Sequence, residues 1–242
     1  LVRRNFDTFR NERLSSLDNE VHLYSCGLDT LDITQQYNWI TNEEMKRASA
    51  FRKKEDAQRF LTGRAVTKIV VAQYLNIDLA DVIIAGGKNR KPFATRDQES
   101  VLLPHFNISH SGSRVVVAFG TEPVGIDIEE MRDIDLEDLA GAVFSKKELD
   151  RFEKSENKLL TFYQFWTRKE AMLKALGLGL VDDLKQIDIG EGIDMHFVQR
   201  HTDQQLTLDS FELAGDYFAS ICYSASKQPV LFELPAGIFE ER

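Results

Sequence analysis

The alternation of helical and strand patterns along this chain predicts an α+β fold built as two similar two-layer α/β halves. Three observations carry that reading. Apolar residues recur at helical intervals in two long stretches and alternate in several short ones. The run FLTGRAVTKIV, opened by Phe60-x-Thr62, is echoed about half a chain later by FWTRKEAMLKA, opened by Phe165-x-Thr167. The composition, 43% hydrophobic and 29% charged over 242 residues, is that of a globular chain long enough for one large core or two small ones.

The elements follow in order. Thr41 to Leu75 reads as helical: Thr41 and Glu44 have capping-box spacing, and Phe60, Leu61, Ala65, Ile69 and Ala72 share one face. Asp81 to Ala85 reads as a short strand, followed by a turn-rich loop with Gly86, Gly87, Asn89 and Pro92. Phe106 to Ile108 and Val115 to Phe119 read as strands flanking a polar turn, Ser109-His110-Ser111-Gly112. Val124 to Glu129 is a further strand, Ser145 to Phe152 and Thr161 to Leu176 are helices, and strands return around Tyr217 to Tyr223. A boundary near Gly120 to Pro123 divides the chain into halves 1–121 and 122–242. At the offset of the echo, Ala65 stands opposite Glu170 and Ile69 opposite Lys174. The first half lacks that polar pair, so one working site is expected, not two.

A net charge of -9 and a pI near 5.2 argue against a general nucleic-acid binder, which needs a basic face. They leave room for a small phosphate-bearing ligand held by a few cations. No apolar run approaches the roughly 18 residues that span a bilayer, and the opening LVRRNFDTF lacks the apolar core of a secretory signal. Cys26 and Cys222 stand far apart and outside any CxxC spacing, which suits a reduced, cytoplasmic compartment.

Chemistry concentrates in three segments. In VGIDIE, strict alternation puts Val124, Ile126 and Ile128 on one face and Gly125, Asp127 and Glu129 on the other. Two acids on one strand face repel; they are either solvated or share a hard cation such as Mg²⁺, which takes carboxylate oxygens and completes its shell with water and phosphate. In WTRKEAMLKALG, Glu170 and Lys174 lie one helical turn apart. A surface pair of that kind is worth roughly 0.2–0.5 kcal/mol. Yet Trp166, Met172, Leu173 and Leu176 leave this helix little solvated surface, so the pair can line a pocket. In HFNISHSG, Ser109 and His110 sit between apolar strands, either as turn chemistry or as a binding turn.

Taken in order, FNISHSG, VGIDIE, FSKKE and FWTRKEAMLKALGLGL, with FRKKEDAQRFLTGR and the Arg90-Lys91-Pro92 loop upstream, resemble the long single-chain 4'-phosphopantetheinyl transferases of the surfactin-synthetase-activator (Sfp) type. The resemblance spans roughly Thr41 to Leu180. It implies two subdomains related by a pseudo-twofold axis, a cleft that binds coenzyme A, and a monomeric enzyme. Metal ligands of the family match Asp127, Glu129 and Glu170, for Mg²⁺ or Mn²⁺. Lys174 matches a lysine at the pyrophosphate, Ser109 and His110 the turn that contacts coenzyme A, and Arg59 an arginine that joins His110 at the 3'-phosphate. Lys91 matches a lysine beside the nucleotide, although Arg90 stands where a glycine is usual. One basic family position falls on Glu44, leaving Arg47 as a second phosphate contact.

The implied reaction moves phosphopantetheine from coenzyme A to a serine of an apo acyl, polyketide or peptidyl carrier protein and releases adenosine 3',5'-bisphosphate. Glu170 and Lys174 are its expected catalytic residues. Glu148 matches an acid considered for proton handling, but Ser145-x-x-Glu148 is also a capping box. As a cap Glu148 tolerates Gln; as a base it does not. Two other classes compete. A metal-dependent phosphodiesterase or nuclease is disfavoured by the lysine's spacing of four residues from its acid, not two, and by the acidic pI. A non-catalytic coenzyme A-binding module is disfavoured by intact Asp127, Glu129, Glu170 and Lys174.

Overall fold

The computed structural model describes residues 1–5, 7–8, 12–32, 37–86, 91–96, 104–179, 184–190, 192–213, 215–236 and 238. In chain order the elements are β1 (Val2–Arg4), β2 (Glu20–Gly27), α1 (Asn42–Ser49), α2 (Lys54–Leu75), β3 (Ile83–Gly86), β4 (Pro92–Thr95), β5 (His105–Ser111), β6 (Arg114–Gly120) and β7 (Gly125–Glu130). There follow α3 (Leu136–Val143), α4 (Lys146–Lys154), α5 (Lys158–Leu176), α6 (Met195–Gln199), β8 (Leu206–Leu213), β9 (Tyr217–Ser224) and β10 (Gln228–Glu233).

The unbroken apolar run Val115 to Phe119 explains how the layers stack. It forms β6, second from the edge of a five-stranded sheet ordered β1-β10-β2-β6-β5. Val115, Val117 and Phe119 face α2, where Ala65, Ile69 and Ala72 meet them. Val116 and Ala118 face the other way, onto Val124, Ile126, Ile128, Ala219 and Ile221 of a three-stranded sheet ordered β7-β9-β8. A strand covered on both faces needs no polar side, which is why its alternation is invisible in the sequence. The far side of the second sheet packs on α5. Helix, sheet, sheet and helix therefore lie in succession, and each half contributes one helix and one sheet. The halves are not closed units, however. β10 comes from the end of the chain, yet it lies parallel between β1 and β2 of the first sheet.

The internal echo extends to the helix ends. Both α1 and α4 start with complete capping boxes, Thr41 with Glu44 and Ser145 with Glu148. Each capping glutamate also pairs with a lysine of the following long helix: Glu44 with Lys68 at 2.8 Å, and Glu148 with Lys169 at 2.7 Å.

Three expectations are corrected. The helix read from Thr41 to Leu75 is two helices. Glu44 and Lys68 are 24 residues apart, about 36 Å along one continuous helix, so their ion pair requires the chain to fold back between α1 and α2. The polar turn read at Ser109 to Gly112 is mostly strand: β5 continues through Ser111, and the reversal falls on Gly112, at φ +52, and Ser113. The strand read from Asp81 runs from Ile83 to Gly86, after a 3-10 turn over Leu79–Asp81. Gly87, Asn89 and Arg90 lie outside the described residues. Among the described residues no helix is long and apolar enough to cross a membrane.

Candidate active site

β7 delivers the acids as its alternation requires. Ile126 and Ile128 are fully enclosed between the sheets, while Asp127 and Glu129 turn toward α5. That helix approaches unusually closely: a Cβ on Gly125 would lie 2.0 Å from the Ala171 carbonyl oxygen and 2.3 Å from the Ala175 nitrogen. The close approach brings Glu170 and Lys174 over the strand. Lys174 Nζ donates to Asp127 Oδ1 at 2.6 Å, to Ser109 Oγ at 3.1 Å and to the Ile126 carbonyl at 3.1 Å.

The two sheets meet along β5 and β7 through side chains. Asn107 Oδ1 accepts from Ile126 N at 2.9 Å, Ser109 Oγ from Ile128 N at 3.3 Å, and Ser111 Oγ from Glu130 N at 3.1 Å. The serine hydroxyls then donate to the acids, Ser109 to Asp127 Oδ1 at 3.0 Å and Ser111 to Glu129 Oε2 at 2.7 Å. Trp166 Nε1 donates to the other oxygen of Glu129 at 3.4 Å. Asn107, Ser111 and Trp166 were not expected here. The polar alternation N-x-S-x-S in FNISHSG is the sequence signal that could have found two of them.

These acids are short of positive charge. Asp127 Oδ2 and Glu170 Oε1 are buried with no hydrogen-bond partner among the described residues. Burial, followed by the charge of Asp127, pushes the Glu170 carboxyl above the usual range, and burial does the same to Glu129. Oxygen-only donors with unpaired buried lone pairs suit a hard cation. The three acids are more open than a closed metal cage: among the described residues only Glu12, Glu20 and His22 bring all their ligand atoms within 4.8 Å of one another. That trio already has its cation, the Arg4 guanidinium, which pairs with Glu12 at 3.3 Å and Glu20 at 2.5 Å.

Strand alternation sends His110 to the opposite face of β5 from Ser109. There, a cavity of about 520 Å³ is lined by Arg47, Arg59, Arg64, Phe60, Pro92 and His110, among others. Arg59 is aimed by Asp56, at 2.5 Å, and by the carbonyl of Gly112. Burial, then the nearby Arg59 charge, lowers the pKa of His110. Three arginines with a histidine that can donate an N–H make an anion pocket. The structure thus brings together two sets of expected residues: Asp127, Glu129, Glu170, Lys174 and Ser109 at β7, and Arg47, Arg59 and His110 at the cavity.

Comparison with known proteins shows the family of the chain. Residues 30–122 match the family model described as 4'-phosphopantetheinyl transferase, N-terminal, and residues 123–222 that of the 4'-phosphopantetheinyl transferase superfamily. The 4'-phosphopantetheinyl transferase Sfp of Bacillus subtilis (strain 168) is 33% identical over 174 residues, 71% of this chain and 71% of its own. The 4'-phosphopantetheinyl transferase HetI of Nostoc sp. (strain PCC 7120 / SAG 25.82 / UTEX 2576) is 35% identical over 183 residues, 73% of this chain and 76% of its own. This chain belongs to the 4'-phosphopantetheinyl transferase superfamily.

Two expected residues of this transferase stand elsewhere. Glu148 is fully enclosed. One oxygen accepts from Ser145 N at 2.7 Å and pairs with Lys169, and the other accepts from Ile189 N at 2.9 Å. Both oxygens are engaged, so its geometry is that of a cap and a buried ion pair, with no access for a substrate proton. Lys91 crosses to the end of α5, where its ammonium donates to the carbonyl of Lys174 at 2.9 Å, a favourable place for a cation at a helix C-terminus. Burial lowers its pKa to about 8. Its neighbour Pro92, not its own ammonium, lines the cavity.

Proposed function

We propose that this transferase moves the 4'-phosphopantetheine group from coenzyme A to a serine hydroxyl of an apo acyl, polyketide or peptidyl carrier protein, with Mg²⁺ or Mn²⁺ held by Asp127, Glu129 and Glu170. The observation that carries the reading is the cluster of buried acids with unpaired oxygens facing Lys174, on the other side of β5 from a cavity rich in arginine. A divalent cation bound there would neutralise pyrophosphate charge. The chain's own residues do the rest. Arg47, Arg59 and His110 bind the 3'-phosphate, while Ser109 and Ser111 hold Asp127 and Glu129 in register. The carrier's serine oxygen bonds to the β-phosphorus as the bond from that phosphorus to the bridging oxygen breaks, and adenosine 3',5'-bisphosphate leaves. Glu170, which has a buried oxygen without a partner among the described residues, takes the serine proton directly or through a water. The Lys174 ammonium faces the leaving phosphate.

The test is intact-mass analysis of an apo carrier protein after incubation with the chain, coenzyme A and Mg²⁺. The wild type is expected to add the phosphopantetheine arm, and Asp127→Ala to lose at least about 10² of the rate with an unchanged far-UV circular dichroism spectrum. A folded Asp127→Ala protein at full rate would overturn the metal assignment, and coenzyme A hydrolysis without carrier modification would favour the phosphodiesterase.

A further inference from the structure

The contact between α5 and β7 has no side chain at its closest point, because Gly125 leaves the backbone of Ala171 and Ala175 directly over the strand. Glu170 and Lys174 belong to that helix, and Asp127 and Glu129 to that strand. What ties the two backbones together here reaches in from the first half of the chain. Lys91 stands just before β4, and its ammonium donates to the Lys174 carbonyl at 2.9 Å. The same nitrogen lies 3.5 Å from the Ala175 carbonyl and 3.4 Å from the carbonyl of Val124, the residue before Gly125. One cation therefore touches both helix and strand at the point where they come closest.

The acceptors are those that regular structure leaves over. α5 ends at Leu176, so the carbonyls of its last turn find no helical amide ahead of them. Gly177 and Leu178 turn back onto Leu173 and Lys174, which leaves the Ala175 carbonyl to Lys91. Val124 lies just before the residues that pair β7 with β9. An ammonium has three N–H donors and suits three carbonyls converging from two elements. Among the described residues no carboxylate pairs with Lys91, and burial penalises its charge. An apolar side chain would avoid that cost.

We propose that Lys91 is a positioning residue for the divalent-cation site, pinning the end of α5 to the start of β7 and so setting how far Glu170 stands from Asp127 and Glu129. This rests on the metal assignment above, and it replaces the role beside the nucleotide that the resemblance implied for Lys91. Lys174 links the clamp to the acids. Its carbonyl takes the Lys91 ammonium, while its own ammonium donates to Asp127 Oδ1 at 2.6 Å. Without Lys91 the helix end is free to lift, and the helix acid parts from the strand acids.

Two binding measurements on Lys91→Met, its fold checked by circular dichroism, test this without a carrier protein. In the first, Mn²⁺ is titrated into the whole chain with coenzyme A present, and the free ion is followed by electron paramagnetic resonance. The variant is expected to bind Mn²⁺ about 10-fold or more weakly than wild type, the usual effect of removing a group that orients metal ligands. In the second, adenosine 3',5'-bisphosphate is titrated calorimetrically without divalent cation. The two proteins are expected to agree within about 2-fold, because the Lys91 ammonium does not touch this ligand. Unchanged Mn²⁺ affinity in Lys91→Met overturns the inference and leaves the transferase reading standing. So does a loss of about 10-fold or more in adenosine 3',5'-bisphosphate affinity, which would put the ammonium at the nucleotide. A wild type that binds no Mn²⁺ overturns the metal assignment and this inference with it. Lys91→Arg keeps the charge and the N–H donors, and is expected to hold Mn²⁺ within about 3-fold of wild type. If Lys91→Met does not fold, Lys91→Arg decides: a folded protein with Mn²⁺ affinity down about 10-fold or more overturns the inference.

Discussion

Glu148 and Glu170 are glutamates on consecutive helices, both withdrawn from solvent, and they differ in what faces them. Glu148 meets an ammonium and two backbone amides. Glu170 has an oxygen with no partner among the described residues, and Asp127 and Glu129 close enough to raise its pKa. The first arrangement stabilises a carboxylate, and the second stores repulsion that a cation can relieve. Capping alone predicts that Glu148→Gln is silent, since the amide oxygen can still accept. Lys169 changes that expectation. Its side chain is fully buried, and Gln removes the negative charge that pairs with it at 2.7 Å. Glu148→Gln is therefore expected to lose about 3–5 kcal/mol of stability in urea unfolding, the usual result of leaving one member of a buried pair. Turnover per folded molecule, measured well below the melting point, should stay within a factor of two or so of wild type. A variant as stable as wild type with turnover reduced about 10²-fold would return Glu148 to the chemistry.

At the scale of elements, the site depends on how closely α5 lies on β7. Gly125 is the point of contact, and the atoms its missing Cβ would strike are backbone, which cannot rotate aside. Gly125→Ala must push the helix off the strand or twist the strand beneath it. The expected cost is about 1–3 kcal/mol or more in urea unfolding, as for other overpacked interiors. Because Glu170 and Lys174 move with the helix while Asp127 and Glu129 stay on the strand, the Mg²⁺ concentration for half-maximal transfer should rise as well. Wild-type stability and Mg²⁺ dependence in Gly125→Ala would show that the two elements are not in contact. The partner strand contributes rigidity of a different kind. Where backbone ladders join most neighbouring strands, β5 reaches the amides of β7 through Asn107, Ser109 and Ser111, and the two serines hold the acids with the same hydroxyls.

Across the whole molecule, the return of β10 into the first sheet couples the ends of the chain to its centre. β1 pairs with β10, and β10 with β2, where His22 sits at the middle of a buried polar chain. His22 Nδ1 is 2.5 Å from the Tyr74 hydroxyl and Nε2 is 2.7 Å from Glu20, which also holds Arg4 of β1. Burial lowers the His22 pKa, outweighing the pull of Glu20 and Glu12, and Arg4 acts in the same direction as burial. A histidine whose folded pKa lies below its unfolded value contributes stability in full above about pH 6.5. That contribution drains as pH falls toward the folded value. Between pH 6.5 and 5 the loss is at most about 2 kcal/mol. His22→Gln, which hydrogen-bonds but does not titrate, should flatten the decline in urea midpoint over that interval. Parallel declines in the two proteins would remove His22 as the group responsible.

The sequence by itself determined what depends on neighbours along the chain. Strand alternation put Asp127 and Glu129 on one face, helical spacing put Glu170 above Lys174, and capping boxes marked the starts of α1 and α4. The order of motifs was enough to place the chain in its family. What faces each of these residues depended on the tertiary structure. Ser109 and His110 are adjacent, so they looked like one binding turn, yet the pleat of β5 sends them to different sides, one to the acids and one to the arginines. Glu148 met Lys169, Lys91 met the end of α5, and Glu44 met Lys68, partners that no local period could name. The break between α1 and α2, the placement of β10 and the double covering of β6 have the same origin. A period in the sequence reports which residues share a face, whereas the identity of the opposing surface is set by segments far along the chain, once the core has closed around them.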